Sequence, residues 1–286
     1  MRATFLLTVA LAVTLAGAVP AAGGRARFAT YVSCSPATAD RDTTCSLGAS
    51  PVAIFRALRR HDVHYRICVR RPSGERRCRE KRSGPTGHRS RAPILLGAPG
   101  GYRVSWLVAG RRIDRDRFRA RAPRVFVDGD SLAVGTKPYL PRVLPGWPIT
   151  QSTSISRHVP EGVGILRAMG GGLARIVVMQ LGTNDDPRAD EDFQHSVRAT
   201  MRIVGSRRCV VWPNIVRPRV AGTSYAGYNH ALAVENRRHD NLFVVDWAAM
   251  ARRHPYWFGP DGVHPNAEGY EARARAIAKK VRRCLD

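Results

Sequence analysis

The sequence predicts a three-layer α/β/α sandwich built on a mostly parallel five-stranded sheet, preceded by a small disulfide-stapled β domain. Three observations carry that expectation. From Pro123 onward, short apolar runs alternate with longer helix-compatible segments, the rhythm of repeated β-α-β units. Runs such as Ile176 to Leu181 are apolar at consecutive positions, as a parallel strand covered by helices on both faces requires. Before Pro123, Cys34, Cys45, Cys68 and Cys78 lie among short alternating segments rich in turn residues, the pattern of a stapled β domain.

Taken in chain order, the first stretch is "MRATFLLTVALAVTLAGAVPAAGG". A cation at Arg2, a short apolar run from Phe5 to about Ala16 and small residues between Ala18 and Ala22 read as a cleavable secretory signal over residues 1–22. The apolar core is short for a membrane span and no stop-transfer charge follows it, so a retained anchor is the weaker reading. The expected mature protein is extracellular or at the cell surface, with no stable membrane insertion once the signal is removed. Export in turn makes the six cysteines legible as disulfides: the set is even and contains no Cys-x-x-Cys pair of the kind used for zinc or thioredoxin-like chemistry. The pairs expected are Cys34 with Cys45, Cys68 with Cys78, and Cys209 with Cys284, although spacing alone does not fix connectivity.

Residues 27–121 form the β-rich accessory domain of this reading. "DVHYRICVR" and "GGYRVSWLVAG" alternate apolar and polar residues. "YRICVRRPSGERRC" reads as a hairpin turning at Pro72-Ser73-Gly74, which sets Cys68 opposite Cys78. The segment Glu80 to Pro93 reads as an exposed basic loop, because Gly, Pro and Ser interrupt any period. The formal net charge of +25 raises a nucleic-acid reading, but the cations are scattered, and no zinc finger or aromatic-interleaved basic motif accompanies them. No nucleic-acid partner is expected; the charge favours anionic cell-wall or polysaccharide surfaces, with a well-solvated surface as the plain alternative.

Residues 123–286 carry the sandwich. The strand candidates are 124–127, 147–153, 174–182, 209–216 and 241–247, and the chain closes on a helix capped by Asn266 with Tyr270, Ala274, Ile277 and Val281 at helical spacing. In such sheets ligands bind beyond the carboxyl ends of the strands. Three blocks fall at such ends. In "VFVDGDSL" a strand runs into Gly129, which allows a tight strand-to-helix turn, and then into Ser131. Asp and Ser cap helices commonly, so that block alone says little. "QLGTND" places Asn184 past a strand end, and "DGVHP" places Asp261 and His264 three residues apart on one loop. A nucleophilic serine needs a base, and the base needs an acceptor that fixes its tautomer; His264 and Asp261 supply the two roles, and Asn184 offers an amide to an oxyanion.

These blocks, "GDSL" (129–132), "GTND" (182–185) and "DGVHP" (261–265), in this order, resemble those of the SGNH or GDSL hydrolase superfamily of serine esterases and lipases, whose sheet is flavodoxin-like. The resemblance implies Ser131 as nucleophile, His264 as general base, Asp261 as its orienting acid, and an oxyanion hole from the Ser131 amide, Asn184 and a residue after the second strand. The family usually has glycine at that last position; here Ser156 takes its place, and its amide serves only if the backbone makes the same turn. "WPNIVRPR", "YNHALA", "VVDWAAM" and "HPYWFGPDGVHPNAEGY" are similar to the extracellular SGNH domains of bacterial cell-wall O-acetyltransferases. The implied activity is hydrolysis of short acyl esters, acetyl above all, on a carbohydrate or cell-wall polymer such as peptidoglycan. Acetyl transfer to cell-wall sugars and non-catalytic wall binding are the alternatives. No metal or organic cofactor is implied.

Other features have plainer readings. "MGGGLAR" precedes a strand and reads as a helix-ending turn rather than a phosphate loop. Asp186 to Glu191 read as the first turn of a helix. Arg157 and His158 read as a solvated loop. Trp257 and Phe258 are candidates to line an acyl or sugar pocket, whereas Trp247 is better explained by core packing.

Overall fold

The computed structural model describes residues 26–37 and 40–285; the signal segment expected over residues 1–22 lies outside them. The β-rich half holds two sheets. β1 (Phe28–Ser33), β3 (Val52–Ala57) and β6 (Ser90–Pro93) make a three-stranded antiparallel sheet. β2 (Thr44–Ser46), β8 (Arg111–Arg121), β7 (Gly100–Val108), β4 (His64–Arg70) and β5 (Arg76–Arg82) lie side by side in that order in the second. Only β2 runs parallel to its neighbour there. The expected hairpin joins β4 to β5, with Cys68 directly opposite Cys78. All three expected disulfides are formed: Cys34–Cys45, Cys68–Cys78 and Cys209–Cys284.

The expected loop from Glu80 to Pro93 is shorter than the sequence suggested. Glu80 to Arg82 continue β5, and Ser90 to Pro93 form β6. Pairing with β4 and β3 overrides the weak local preference for strand, and only residues 83–89 turn.

The second half is α/β, and its sheet is wholly parallel. β10 (Ile149–Thr153), β9 (Val125–Gly129), β11 (Ile176–Gln180), β12 (Cys209–Pro213) and β13 (Leu242–Val245) lie in that order. Because side chains alternate across a strand, β9 sends Val125 and Val127 into one buried cluster and Phe126 into another. The first cluster is closed by α1 (Ser131–Thr136), α2 (Leu140–Val143) and α7 (Ala267–Arg283). The second is closed by α3 (Val159–Met169), α4 (Asp190–Val204) and α5 (Ala226–Arg238). A short α6 (Trp247–Arg253) follows β13. Apolar burial on both faces is the main favourable term holding such a sheet.

The two halves share a core. One buried cluster runs from Tyr102 and Trp106 of β7 through Leu144 and Trp147 to Ile277 and Val281 of α7. Among the described residues, no helix is long and apolar enough to cross a membrane.

Candidate active site

The carboxyl end of the parallel sheet gathers the three sequence blocks. β9 ends at Gly129 and α1 begins at Ser131, with Asp130 between them as N-cap, its Oδ1 accepting from the Leu132 N–H at 2.9 Å. Glycine at 129 is a packing requirement: a Cβ there would lie 2.3 Å from the Ala133 Cβ and 2.9 Å from the Gln180 carbonyl oxygen. Only glycine lets this turn press against β11, so Ser131 is fixed at the sheet's rim.

His264 reaches Ser131 from the loop before α7. Its Nε2 lies 2.8 Å from the Ser131 Oγ, and its Nδ1 lies 2.6 Å from the Asp261 Oδ2. With Nδ1 donating to the carboxylate, Nε2 is left as the acceptor for the serine hydroxyl. The other Asp261 oxygen accepts from the backbone N–H groups of Val263 at 3.0 Å and His264 at 3.1 Å. One carboxylate thus both shapes its own loop and orients the imidazole. The His264 bond, followed by those two amides, pulls the Asp261 carboxyl down to about 2, so it stays an anion throughout the neutral and mildly acid range. Asn266 then caps α7 by accepting from the Gly269 N–H at 3.0 Å.

Asn184 follows β11 and lies between the other two loops. Its Nδ2 donates to the Asp130 Oδ2 at 3.4 Å and to the Arg157 carbonyl at 3.3 Å. Ser156 has a φ of 61°, a left-handed backbone that a non-glycine residue seldom adopts. Glycine takes this backbone region without strain, whereas serine holds it here at a cost. Asp185, next to Asn184, accepts from the Val159 N–H at 3.1 Å through Oδ1 and so ties the same loop to the start of α3.

Chemically, this arrangement offers a hydroxyl bonded to an oriented imidazole, beside a side-chain amide and a strained turn. The site is open: the His264 and Asp261 side chains are 47% and 50% exposed. A cavity of about 490 Å³ adjoins the loop that carries Asp261 and His264, lined by Ile215, Tyr225, Ala251, Phe258 and Gly262 among others.

The chain resembles SGNH/GDSL hydrolases and O-acetyltransferases. The Bacillus subtilis protein YrhL, whose name assigns it provisionally to the peptidoglycan O-acetyltransferases, is 26% identical over 111 residues, 38% of this chain and 16% of that protein. The chain thus matches only a small part of its curated relatives' length. Among solved structures, the C-terminal catalytic domain of Streptococcus pneumoniae peptidoglycan O-acetyltransferase A, carrying a methylsulfonyl adduct, aligns at a TM-score of 0.47 and 21% identity over 58% of this chain and 94% of that one. A lipolytic protein of the G-D-S-L family from Veillonella parvula aligns at a TM-score of 0.46 and 15% identity over 56% and 96%. No protein-family profile matches the chain.

Three further residues shape this rim. Asp128 is fully buried in β9, and the Arg157 Nη1 meets its Oδ1 at 2.6 Å. The same nitrogen also donates to the Ser152 carbonyl at 2.6 Å. Burial pushes the Asp128 carboxyl up, and Arg157 opposes the shift. Arg157 is therefore no solvated loop residue, as the sequence suggested. Its side chain is 11% exposed, because a carboxylate inside a sheet needs a counter-ion. A fully buried acid in an apolar strand, "VFVD", was the signal that such a partner had to exist. The third residue is Arg273 of α7, 2% exposed, whose Nε donates to the Gln180 Oε1 at 3.1 Å and whose guanidinium lies 5.2 Å from the Trp247 ring centroid. Trp247 and Trp257 stack on each other within the core, so of the aromatic pocket candidates only Phe258 lines the cavity.

Proposed function

We propose that the chain is an SGNH-type serine ester hydrolase that removes short acyl groups, acetyl above all, from a carbohydrate or cell-wall polymer through an acyl-enzyme at Ser131. The observation that carries this reading is the unbroken line from Asp261 through His264 to the Ser131 Oγ, with bonds of 2.6 and 2.8 Å. Ser131 attacks the ester carbonyl while its proton passes to the His264 Nε2. The imidazolium that forms is stabilised by Asp261 and returns the proton to the departing alcohol; water, deprotonated by His264, then releases the acid. The oxyanion is received by the Ser131 and Ser156 backbone N–H groups and by Asn184. The Asn184 bonds are long, so turning one N–H toward an oxyanion gives up little. One donor of this kind is typically worth about 10²- to 10³-fold in turnover.

The open rim favours a small acyl group on a bulky polymer, because half-exposed His264 and Asp261 side chains leave room for the polymer. We assign the protein to the extracellular or cell-surface space, where its disulfides persist, with residues 27–121 as an accessory β domain and 123–286 as the catalytic one. Transfer to a sugar hydroxyl is the second reading, favoured by the names of the curated relatives. Hydrolysis and transfer share the acyl-enzyme and differ in the acceptor.

Initial rates on p-nitrophenyl acetate, for the protein and its Ser131→Ala variant, test the proposal. Loss of at least about 10³-fold on substitution, at unchanged thermal midpoint, supports it. Equal rates would refute it. Chitooligosaccharide added to the same assay decides between acceptors: acetylated sugar marks a transferase, free acetate alone a hydrolase.

A further inference from the structure

The outer face of the β2-β8-β7-β4-β5 sheet carries a row of like charges that no carboxylate among the described residues pairs with. Arg76 of β5 stands opposite Arg70 of β4, Arg70 opposite Arg103 of β7, and Arg103 opposite Arg117 of β8. Four arginines therefore form one row across four strands, about 14 Å long at the usual strand spacing. Directly opposed residues share a face, and like charges so placed are destabilising. Arg112 and Arg115 extend the row, and together with Arg70, Arg76 and Arg103 they line a groove of about 210 Å³ floored by Ser105 and Cys68. The neighbouring Arg112 first, then desolvation, then Arg103 and Arg117 hold the Arg115 guanidinium below the usual arginine range.

The acids of this region do not neutralise the row. Glu75 pairs with Arg71 and Arg77, and Glu80 with Arg66. Asp114 and Asp116 lie on the opposite side of β8, where they accept from the Thr30 hydroxyl and the Val32 N–H of β1. Among the described residues, Arg70, Arg76, Arg103, Arg112, Arg115 and Arg117 make no ion pair with a carboxylate.

We propose that this arginine row is a binding site for a base-free linear polyanion, a polymer whose repeating oxyanions lie across the strands. Guanidinium forks match phosphate and carboxylate geometry, and a charged chain laid over the row converts its mutual repulsion into attraction. The lining offers no aromatic side chain, whereas single-stranded nucleic acid is held by stacking its bases on aromatics. A flat sheet face also has no element to enter a duplex groove. A polymer without bases is the occupant that the surface fits. Binding at the row needs no catalysis and stands apart from the ester-hydrolase reading.

The test is equilibrium binding of the full chain to fluorescently labelled poly(glycerol phosphate), to polygalacturonate and to single-stranded DNA of matched charge, titrated over a range of salt. The Arg70→Gln/Arg103→Gln double variant is compared with Arg237→Gln/Arg253→Gln, two exposed arginines whose loss changes the net charge equally. The expected result is binding of a base-free polymer, weakened at least about tenfold in the row variant and less than about twofold in the control. The salt slope of the row variant should fall by about 1.4, the contribution of two lost contacts to a flexible chain. Its thermal midpoint without polymer should be no lower than that of the parent. The polymer bound more tightly identifies the oxyanion as phosphodiester or carboxylate. Equal losses in the two double variants, no loss in either, or tighter binding of DNA than of both base-free polymers would overturn the proposal.

Discussion

Ser156 and Asp130 show how single residues at the rim are held away from their relaxed states. Ser156 keeps a left-handed backbone, a conformation that costs a non-glycine residue about 1–2 kcal/mol. If its role is to present a backbone N–H, the side chain is dispensable. Ser156→Gly should then keep the ester-hydrolase rate within about twofold and leave the thermal midpoint equal or higher, since glycine adopts this region freely. Ser156→Val should lose rate, because a β-branched residue resists the turn. A lowered rate in the glycine variant would show that the hydroxyl itself is used. Asp130 carries a different load: burial raises its carboxyl from 3.8 to about 6, with the Leu132 amide and Arg273 pulling the other way. Between those values the folded chain holds a proton that the unfolded chain releases, so the contribution of Asp130 to stability falls as pH rises from about 4 to about 6, by on the order of 3 kcal/mol. Asp130→Asn keeps a good helix cap and removes this titration. Relative to the parent, the variant should gain stability between pH 4 and pH 7 in chemical denaturation; parallel pH profiles would contradict the assignment.

At the scale of elements, the turn from β10 into α3 depends on a buried ion pair. Arg157 holds Asp128 of β9 and the Ser152 carbonyl of β10 at once, and its own carbonyl receives Asn184. Arg157→Met would leave Asp128 buried without its cation, a loss of about 3–5 kcal/mol. The same substitution loosens the segment carrying Ser156, so turnover should fall by more than KM changes; Asp128→Asn on the same background should recover much of the stability but not the rate. How legible the elements were in the sequence follows from how much of each is locally encoded. Consecutive apolar residues marked β9, β11 and β12, whose burial is complete on both faces. "RRIDRDRFRAR" did not read as a strand, because its period-two signal, Phe118 and Ala120 inward with arginines outward, is masked by charge, and its acids find partners on β1, 84 residues away. Ser131, Asp261 and His264 were legible because each lies in a short block at an element boundary, Ser131 where β9 meets α1 and the other two on the loop before α7. Arg157 was not, since nothing within its own loop shows that Asp128 would be buried beside it.

On the scale of the whole molecule, three covalent links of very different reach hold the chain. Cys34–Cys45 and Cys68–Cys78 close segments of 11 and 10 residues, whereas Cys209–Cys284 spans 75 and ties the start of β12 to the end of α7. On loop entropy alone, the long link limits the unfolded chain by about 4.5 kcal/mol and the short ones by about 2.8 each. Replacing Cys209 and Cys284 by alanine should therefore lower the thermal midpoint more than replacing Cys68 and Cys78. It should also slow turnover, because α7 begins three residues after His264 and carries Arg273 beneath Asp130. A larger drop for the hairpin pair would show that local geometry outweighs chain entropy here.

The central claim, a serine made nucleophilic by His264 and Asp261, is tested most directly by active-site labelling. The measurement is the stoichiometry and position of fluorophosphonate attachment, read by intact mass and peptide mapping, in the parent protein and in its Ser131→Ala and His264→Ala variants. The account predicts one label per chain, on Ser131, absent from the serine variant and slowed by at least about 10³-fold in the histidine variant. No labelling of the folded parent protein, or labelling that persists at another residue when Ser131 is replaced, would contradict it.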